Sequence, residues 1–390
     1  MAIKTNDKIL ITGGLGFIGL EIARQLAQRR QPLVLLDNLS QQVHGALPNF
    51  SDRGFLHNSH VQVLRGDVRE SDTWATALKD IRCVIHLAAE TGTGQSMYEI
   101  RRYTDTNVGG TATLLDYLAN QRHSVEKIVL ASSRSVYGEG AYLCERCGMV
   151  YPPERPAAML CRHQWEPLCP KCGAMIHATA TPECASPQPA SVYAATKLAQ
   201  EGLVRIAAAA LGIGAVIFRF QNVYGEGQSL KNPYTGILSI FSNQLRLGKV
   251  LDLYEDGRES RDFVHVSDVA RAVLLSLDSD RADGFTLNVG SGLDTSVATI
   301  ADLLRERIGG HTSAHVSGHY RIGDVRHEYA DLSGIRKRLG FAPEISLEAG
   351  LDRFVAWVKG QPVESDRLSQ ASEELASRGL MQRDDQAITV

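Results

Sequence analysis

Short apolar runs alternate with stretches of helical period through the first part of the chain. "KILITGG" (8–14), "PLVLLD" (32–37), "VQVLRGD" (61–67), "CVIHLAA" (83–89) and "KIVLASS" (127–133) show no regular polar alternation. Such runs predict strands covered on both faces. Between them, "FIGLEIARQLAQR" and "VGGTATLLDYLANQ" repeat apolar positions every three or four residues and predict helices. Strands alternating with helices predict an α/β fold with a parallel, doubly wound sheet. The pattern resumes with a helix in "VYAATKLAQEGLVRIAAAALG" and a strand in "GAVIFRF"; further helices are predicted near 236–247, 267–278, 296–308 and 347–358.

From 140 to about 187 the helical period disappears, proline is frequent and cysteines cluster. This segment reads as an insertion. The predicted organisation is a first domain of 1–139 and 187–220 with part of 262–290, the insertion 140–186, and a smaller domain of 221–261 and 291–358. A polar tail, 359–390, follows; it is expected to hold at most one marginal helix and is assigned no function.

Composition narrows the function classes. A formal net charge of −3 provides no general attraction to nucleic acid or acidic membranes. No apolar run is long enough to span a bilayer, and "MAIKTNDKILITGG" lacks the layout of a signal peptide. A cytoplasmic protein is expected. Seven cysteines, an odd number, fit thiols or metal ligands better than a disulfide framework.

"ILITGGLGFIGLEIARQL" sets Gly13, Gly16 and Gly19 at a strand-to-helix turn. Glycine allows a sharp turn and close approach to a pyrophosphate, whose charge meets the helix N-terminus. Asp37 stands at the end of the second predicted strand. Such an acid accepts hydrogen bonds from a ribose 2′-OH and repels a 2′-phosphate, which selects NAD over NADP. Phe17, Ile18, Asn38 and the loop Leu87, Ala88, Ala89 are counted with this site, and Asp67 and Val68 are placed beside the adenine.

"SVYAATKLAQ" sets Tyr193 and Lys197 four apart, on one helix face. An ammonium and a nicotinamide charge favour a phenolate, so the tyrosine pKa is expected to fall from ~10 toward working pH. Ser133 of "LASSRSVYG" ends a predicted strand at the sheet edge where ligands bind.

With these motifs the chain resembles the extended short-chain dehydrogenase/reductase family, in its nucleotide-sugar branch. "TGGLGFIG", "LLDN", "GDV", "HLAA", "TNVGGT", "SSRSVYG", "YAATK", "RFQNVYG", "RDFVHVSDVARA" and "RIGDVRHEYAD" occur in the family's order over about 1–140 and 187–358. The resemblance implies a Rossmann-type sheet with a smaller α/β substrate domain, and a Ser133–Tyr193–Lys197 triad. It implies that Asn107 orders the nicotinamide end, and that Asn222 and Arg261 hold a substrate diphosphate. Arg321 and Asp324 would hold diphosphate and ribose, and Thr91 and Arg134 join the substrate contacts. A homodimer is implied through the helix carrying Tyr193 and the one near 107–121.

Related 4,6-dehydratases carry an Asp-Glu pair after the serine, and decarboxylases a glutamate. This chain has Arg134 and Ser135 there, so elimination loses its second acid/base. A 4-epimerase needs less: transient oxidation at C4, rotation of the keto sugar, and return of hydride to the other face. "ETGTGQS", "SSRSVYGEG", the cysteine insertion and "VYGEGQSLKNPYTGILSIFSNQL" resemble 4-epimerases that interconvert dTDP-L-rhamnose and dTDP-6-deoxy-L-talose. Other nucleotide-sugar enzymes (UDP-sugar 4-epimerase, decarboxylase, 4,6-dehydratase) and a non-catalytic NAD-binding regulator are the alternatives.

"CERCG" and "CPKCG" have the form of paired zinc knuckles. Cys144, Cys147, Cys169 and Cys172 would form a closed four-sulfur site for structural Zn2+ in a zinc-ribbon-like insertion. Cys161, His163, His177 and Cys184 are spare candidate ligands, and Cys83 is expected to pack in a strand. The folded insertion is expected to shape or cover the sugar pocket. It shows no concentrated basic face, so nucleic acid is not an expected partner.

Overall fold

A computed structural model of the chain describes residues 2–45, 50, 53–232, 234, 236–309 and 312–382. Residues 383–390 of the expected polar tail lie outside them. Strands β1 (Lys8–Thr12), β2 (Leu33–Asp37), β3 (Val61–Arg65), β4 (Ile81–His86), β5 (Lys127–Ser133), β6 (Gly214–Phe220) and β7 (Thr286–Val289) form one sheet in the order β7-β6-β5-β4-β1-β2-β3. Every neighbouring pair is parallel. Strand order reverses between β1 and β4, the place where such sheets open a ligand crevice at their C-terminal ends.

The continuous apolar runs are explained by the two layers of helix. Ile9 and Ile11 of β1 join a core with Ile22 and Leu26 of helix α1 (Phe17–Gln28). Leu10 points the other way, into a core with Leu114 and Leu118 of α2 (Gly110–Asn120) and Val204 and Ala208 of α3 (Val192–Leu211). Side chains alternate across a strand with period two, so both faces must be apolar when both are covered.

Strand β3 departs from that expectation. It was predicted as a buried strand, but Gln62, Val63 and Arg65 are exposed. Among the described residues it is the sheet's edge strand, paired only with β2, so its backbone is covered on one side alone. In contrast, β7 was not anticipated as a strand; "TLNV" is short and follows a turn.

A third core lies in the smaller part of the molecule. Helices α4 (Ile237–Arg246), α6 (Val297–Ile308) and α7 (Leu347–Lys359) contribute Leu238, Phe241, Ile300, Leu304, Leu351 and Phe354 to it. Helix α5 (Val266–Leu277) instead covers the main sheet beside α1. The cysteine-bearing segment folds around three short antiparallel strands, Tyr142–Cys144, Gly148–Val150 and His177–Ala178. Its own small core is Tyr142, Cys144, Val150, Cys169 and Ile176.

The tail is docked against the body of the protein. Helix α8 (Arg367–Ser377) buries Ala371 and Leu375, and Met381–Gln382 pairs antiparallel with Tyr320–Arg321. Among the described residues no helix is long and apolar enough to cross a membrane.

Candidate active site

The turn after β1 is shaped by steric necessity. Gly13 has φ +64°, and a Cβ there would stand 3.1 Å from the Ala88 backbone. A Cβ at Gly19 would sit 2.3 Å from the Gly13 carbonyl oxygen. Glycine is therefore the residue that lets strand, turn and helix meet so closely. Helix α1 starts at Gly16 without a side-chain cap, so its first N–H groups remain for an anion.

These glycines, with Phe17 and Ile18, line a cavity of about 440 Å³ at the switch point of the sheet. Asp37, Asn38 and Val68 line one end of it, and Leu87, Ala88, Ala89 and Thr91 continue along the β4 loop. Asp37 is held rigidly: its carboxylate accepts hydrogen bonds from Leu15 N (3.1 Å) and Leu39 N (2.9 Å). This cradle, which a Cβ would fill, and a fixed acid beyond it fit NAD.

Two residues expected at the cofactor are not among those lining the cavity. Asp67 is tied to Arg69 and accepts from Asn38 Nδ2 at 3.1 Å; it does not line the cavity. The Arg69 guanidinium holds its pKa down to about 2. Asn107 also stands behind the lining. Its side chain accepts from Glu90 N (2.8 Å) and donates to Glu90 O (3.1 Å) and Thr196 Oγ1 (2.9 Å). It lies in a π-helical turn, Thr104–Gly109, that precedes α2. The residue thus fastens the loop after β4, whose Glu90 lines the cavity, to α3.

Ser133, Tyr193 and Lys197 converge at the inner end of the same cavity. The local sequence explains why. Ser191 caps α3, its Oγ accepting from Ala194 N at 3.2 Å, so Tyr193 and Lys197 fall in the first two turns and face β5. Lys197 Nζ donates to the Ala131 carbonyl at 2.9 Å. Burial brings the lysine down to about 8, opposed by the nearby Glu201.

Ser133 ends β5, and its Oγ accepts from Ser135 N (3.2 Å) and Ser135 Oγ (2.9 Å). Ser133 is also hydrogen-bonded to Tyr193. Burial raises the Tyr193 pKa, while the Ser133 hydrogen bond and the Arg134 charge oppose the rise. The sequence expectation of a lowered value rested on Lys197 and a nicotinamide charge. In the protein alone, the opposing groups are Ser133 and Arg134, and burial outweighs them.

A second cavity of about 240 Å³ shares Arg134, Asn222, Tyr234 and Ile237 with the first. Arg261, Arg321 and Asp324 line it. Arg134 Nε donates to Asn222 Oδ1 at 2.8 Å, and its Nη1 is buried without a partner among the described residues. Arg261 Nη2 donates to Asp324 Oδ1 at 3.0 Å. Arg321 lies over the Tyr254 ring at 4.8 Å, and its Nε is likewise buried and unpaired among the described residues. Buried guanidinium donors without protein partners are incomplete until an anion or hydroxyl reaches them.

Cys144, Cys147, Cys169 and Cys172 come together, all four sulfurs within 4.8 Å of one another. Cys144 and Cys172 Sγ are 3.7 Å apart, close to the ~3.8 Å edge of a tetrahedron with ~2.3 Å zinc–sulfur bonds. The donor set fits zinc. Cys161, His163, His177 and Cys184 stand outside this group; His163 stacks on Trp165 at 5.1 Å. Cys83 is buried in β4, its thiol pushed up to about 12 by burial.

The insertion does not cover the pocket. Among the described residues none of 140–186 lines either cavity. It reaches residues one layer behind the second cavity through a buried charge network that sequence reading missed. Arg155 Nε donates to Glu139 Oε1 (2.9 Å), its Nη1 to Glu255 Oε2 (3.0 Å) and its Nη2 to the Asp324 carbonyl (2.9 Å). Glu166 takes two hydrogen bonds from the buried Arg326. Nothing in "PPERPAAML" distinguishes Arg155 from a surface arginine; only the fold brings its partners together.

Residues 9–156 and 170–290 match the model of the NAD dependent epimerase/dehydratase family. The chain belongs to that family. It is 41% identical over 359 residues to a dTDP-L-rhamnose 4-epimerase of Burkholderia thailandensis, covering 92% of this chain and 96% of the relative. Among solved structures it is similar to UDP-glucuronic acid 4-epimerase of Bacillus cereus with UDP-glucuronic acid and NAD (TM-score 0.74, 25% identity, covering 90% of this chain and 99% of that one). UDP-glucose 4-epimerase of Thermotoga maritima with UDP-glucose is comparably similar (TM-score 0.72, 26% identity, 90% and 99% covered).

Proposed function

We propose that the protein is an NAD-dependent nucleotide-sugar 4-epimerase acting on a dTDP-6-deoxyhexose, interconverting dTDP-L-rhamnose and dTDP-6-deoxy-L-talose. The observation that carries this reading is the convergence of Ser133, Tyr193 and Lys197 where the glycine cradle meets the arginine-lined second cavity. The choice of dTDP-6-deoxyhexose is supported by the 41% identical relative. Gly13, Gly16, Gly19 and Asp37 would hold NAD, which when bound supplies the acceptor and donor of hydride at the sugar C4.

In this reading Tyr193 takes the proton from the C4 hydroxyl and returns it after the sugar has turned. Ser133 donates to the reacting oxygen, and Lys197 supplies positive charge beneath the tyrosine. Arg261 and Arg321 bind the diphosphate and leave the hexose free to rotate between them and Tyr193. Among the described residues the acids lining the larger cavity are Asp37 and Glu90. Asp37 is engaged by backbone amides and Glu90 by Arg102 at 2.6 Å. Elimination therefore lacks a spare carboxylate there. The four cysteines would hold a structural zinc, and a homodimer through α2 and α3 is part of the proposal.

The test is incubation of the protein with dTDP-, UDP- and GDP-hexoses without added NAD, with products resolved by NMR. Inversion at C4 of a dTDP-6-deoxyhexose at constant mass is expected. Loss of water or CO2, or turnover of UDP-sugars alone, would overturn it.

A further inference from the structure

The tail was assigned no function from sequence, yet it lies against the second cavity. Leu368, Leu375 and Leu380 line that cavity together with Arg261 and Arg321. Gly94 makes room for this helix: a Cβ there would stand 3.3 Å from the Leu375 methyls. The contacts at both ends of the segment are specific. At its start, Asp366 caps α8 by accepting from Leu368 N and Ser369 N, and also accepts from Gln244 Nε2 (2.9 Å) and from Lys249. Midway, the Tyr234 hydroxyl donates to Glu374 Oε2 and accepts from the Tyr98 hydroxyl, both at 2.9 Å. Arg378 covers the Tyr98 ring at 4.2 Å.

The far end reaches Arg321 itself. Arg321 pairs with Met381 in the antiparallel bridge, and Ile322 N donates to the Leu380 carbonyl at 3.2 Å. The Tyr254 ring under the Arg321 guanidinium has its hydroxyl 3.4 Å from Ser372 Oγ. Backbone and side chain of Arg321 are thus both referenced to the tail, while its Nε remains buried and unpaired among the described residues.

We propose that residues 364–382 form the outer wall of the nucleotide end of the substrate cavity and position Arg321 there, so that a nucleoside diphosphate binds tightly only with this segment docked. The proposal rests on the reading of the second cavity as the diphosphate end. The three leucines wall off one side of a cavity that otherwise presents Arg134, Arg261 and Arg321 with Asp252, Glu259 and Asp324, and water excluded on that side strengthens each arginine–phosphate contact. Once bound, the ligand holds the segment down.

Titration calorimetry with dTDP as the probe tests this on the full chain and on Leu375→Asp and Arg261→Ala. Both variants are expected to weaken dTDP at least tenfold while retaining wild-type NAD content. Wild-type dTDP affinity in Leu375→Asp, with binding lost in Arg261→Ala, overturns the role of the tail and leaves the functional reading intact. Wild-type affinity in Arg261→Ala overturns the reading of the cavity itself. Hydrogen exchange on the wild type stands apart from any variant's folding. Amides of 367–377 are expected to slow at least tenfold when dTDP binds, and unchanged exchange overturns the proposal.

Discussion

Replacing Arg155 by methionine tests whether the cysteine-bearing insertion supports the substrate site from behind. The Arg155 side chain is 2% exposed and bridges Glu139 and Glu255, with further hydrogen bonds to the carbonyls of Trp165 and Asp324. Methionine fills much of the volume but leaves Glu139, also 2% exposed, with the Arg326 backbone N–H as its remaining donor. Glu255 keeps Arg326 at 2.9 Å, so one carboxylate bears most of the loss. Removing one partner of a buried pair costs about 3–5 kcal/mol. For 390 residues the unfolding entropy near the midpoint is about 0.8 kcal/mol/K, so the cost corresponds to a Tm lower by about 4–6 °C. The Asp324 carbonyl also loses its donor, and Asp324 is the partner of Arg261. KM for the nucleotide sugar is therefore expected to rise severalfold with kcat nearly unchanged. Thermal melts and initial-rate kinetics measure both. The double variant Arg155→Met, Glu139→Gln, which removes the stranded charge, should recover part of the Tm. A single variant as stable as wild type, or a double variant less stable than the single one, would refute the reasoning.

Tyr193→Phe keeps the ring and its edge contact with Tyr103 at 6.5 Å but removes the proton carrier; kcat is expected to fall ~10²–10⁴-fold with Tm unchanged, and a fall of less than about tenfold would exclude Tyr193 as the acid/base. The four-sulfur site should yield one zinc per chain by elemental analysis, and its removal with a strong chelator should lower Tm and raise KM as Arg155→Met does; a metal-free preparation of full stability and normal KM would contradict that role. Burial holds the Glu328 carboxyl at about 7, against 4.5 for the ordinary group. The folded chain therefore keeps a proton that the unfolded chain has released between those values, and this contribution to stability is complete below 4.5 and lost as pH rises through 7. Glu328→Gln should gain stability relative to wild type between pH 5 and pH 8, read as the difference in Tm; a shift in the opposite direction would refute the assignment.

The sheet and its helices were legible because covering both faces of a strand forces an unbroken apolar run, as in β1, β2, β4 and β5. Strand β3 misled for the same reason. "VQVLRGD" has the composition of a covered strand, and only the sheet order reveals it as an edge. The glycine turn was readable because close backbone approach admits no side chain at Gly13 or Gly19. Tyr193 and Lys197 were readable because helix geometry alone sets them on one face. The partners of Asn107, Glu90 and Thr196, were not legible, since sequence distance says nothing about which side of a loop a side chain fastens. The Arg155 and Arg326 networks were invisible, because their partners come from segments far apart in the chain and leave no periodic trace. The tail was invisible for a related reason. A polar amphipathic stretch gives no sign of what its few leucines will meet, and here Leu368, Leu375 and Leu380 meet a cavity built by other parts of the chain.

The central claim is that hydride leaves and returns to the same carbon within one closed site. It is tested most directly with dTDP-L-rhamnose deuterated at C4, incubated with the protein in ordinary water without added NAD and followed by NMR and mass spectrometry. The account predicts dTDP-6-deoxy-L-talose with the deuterium retained at C4 and the mass unchanged. Loss of the label to solvent, or a product lighter by water, would contradict it.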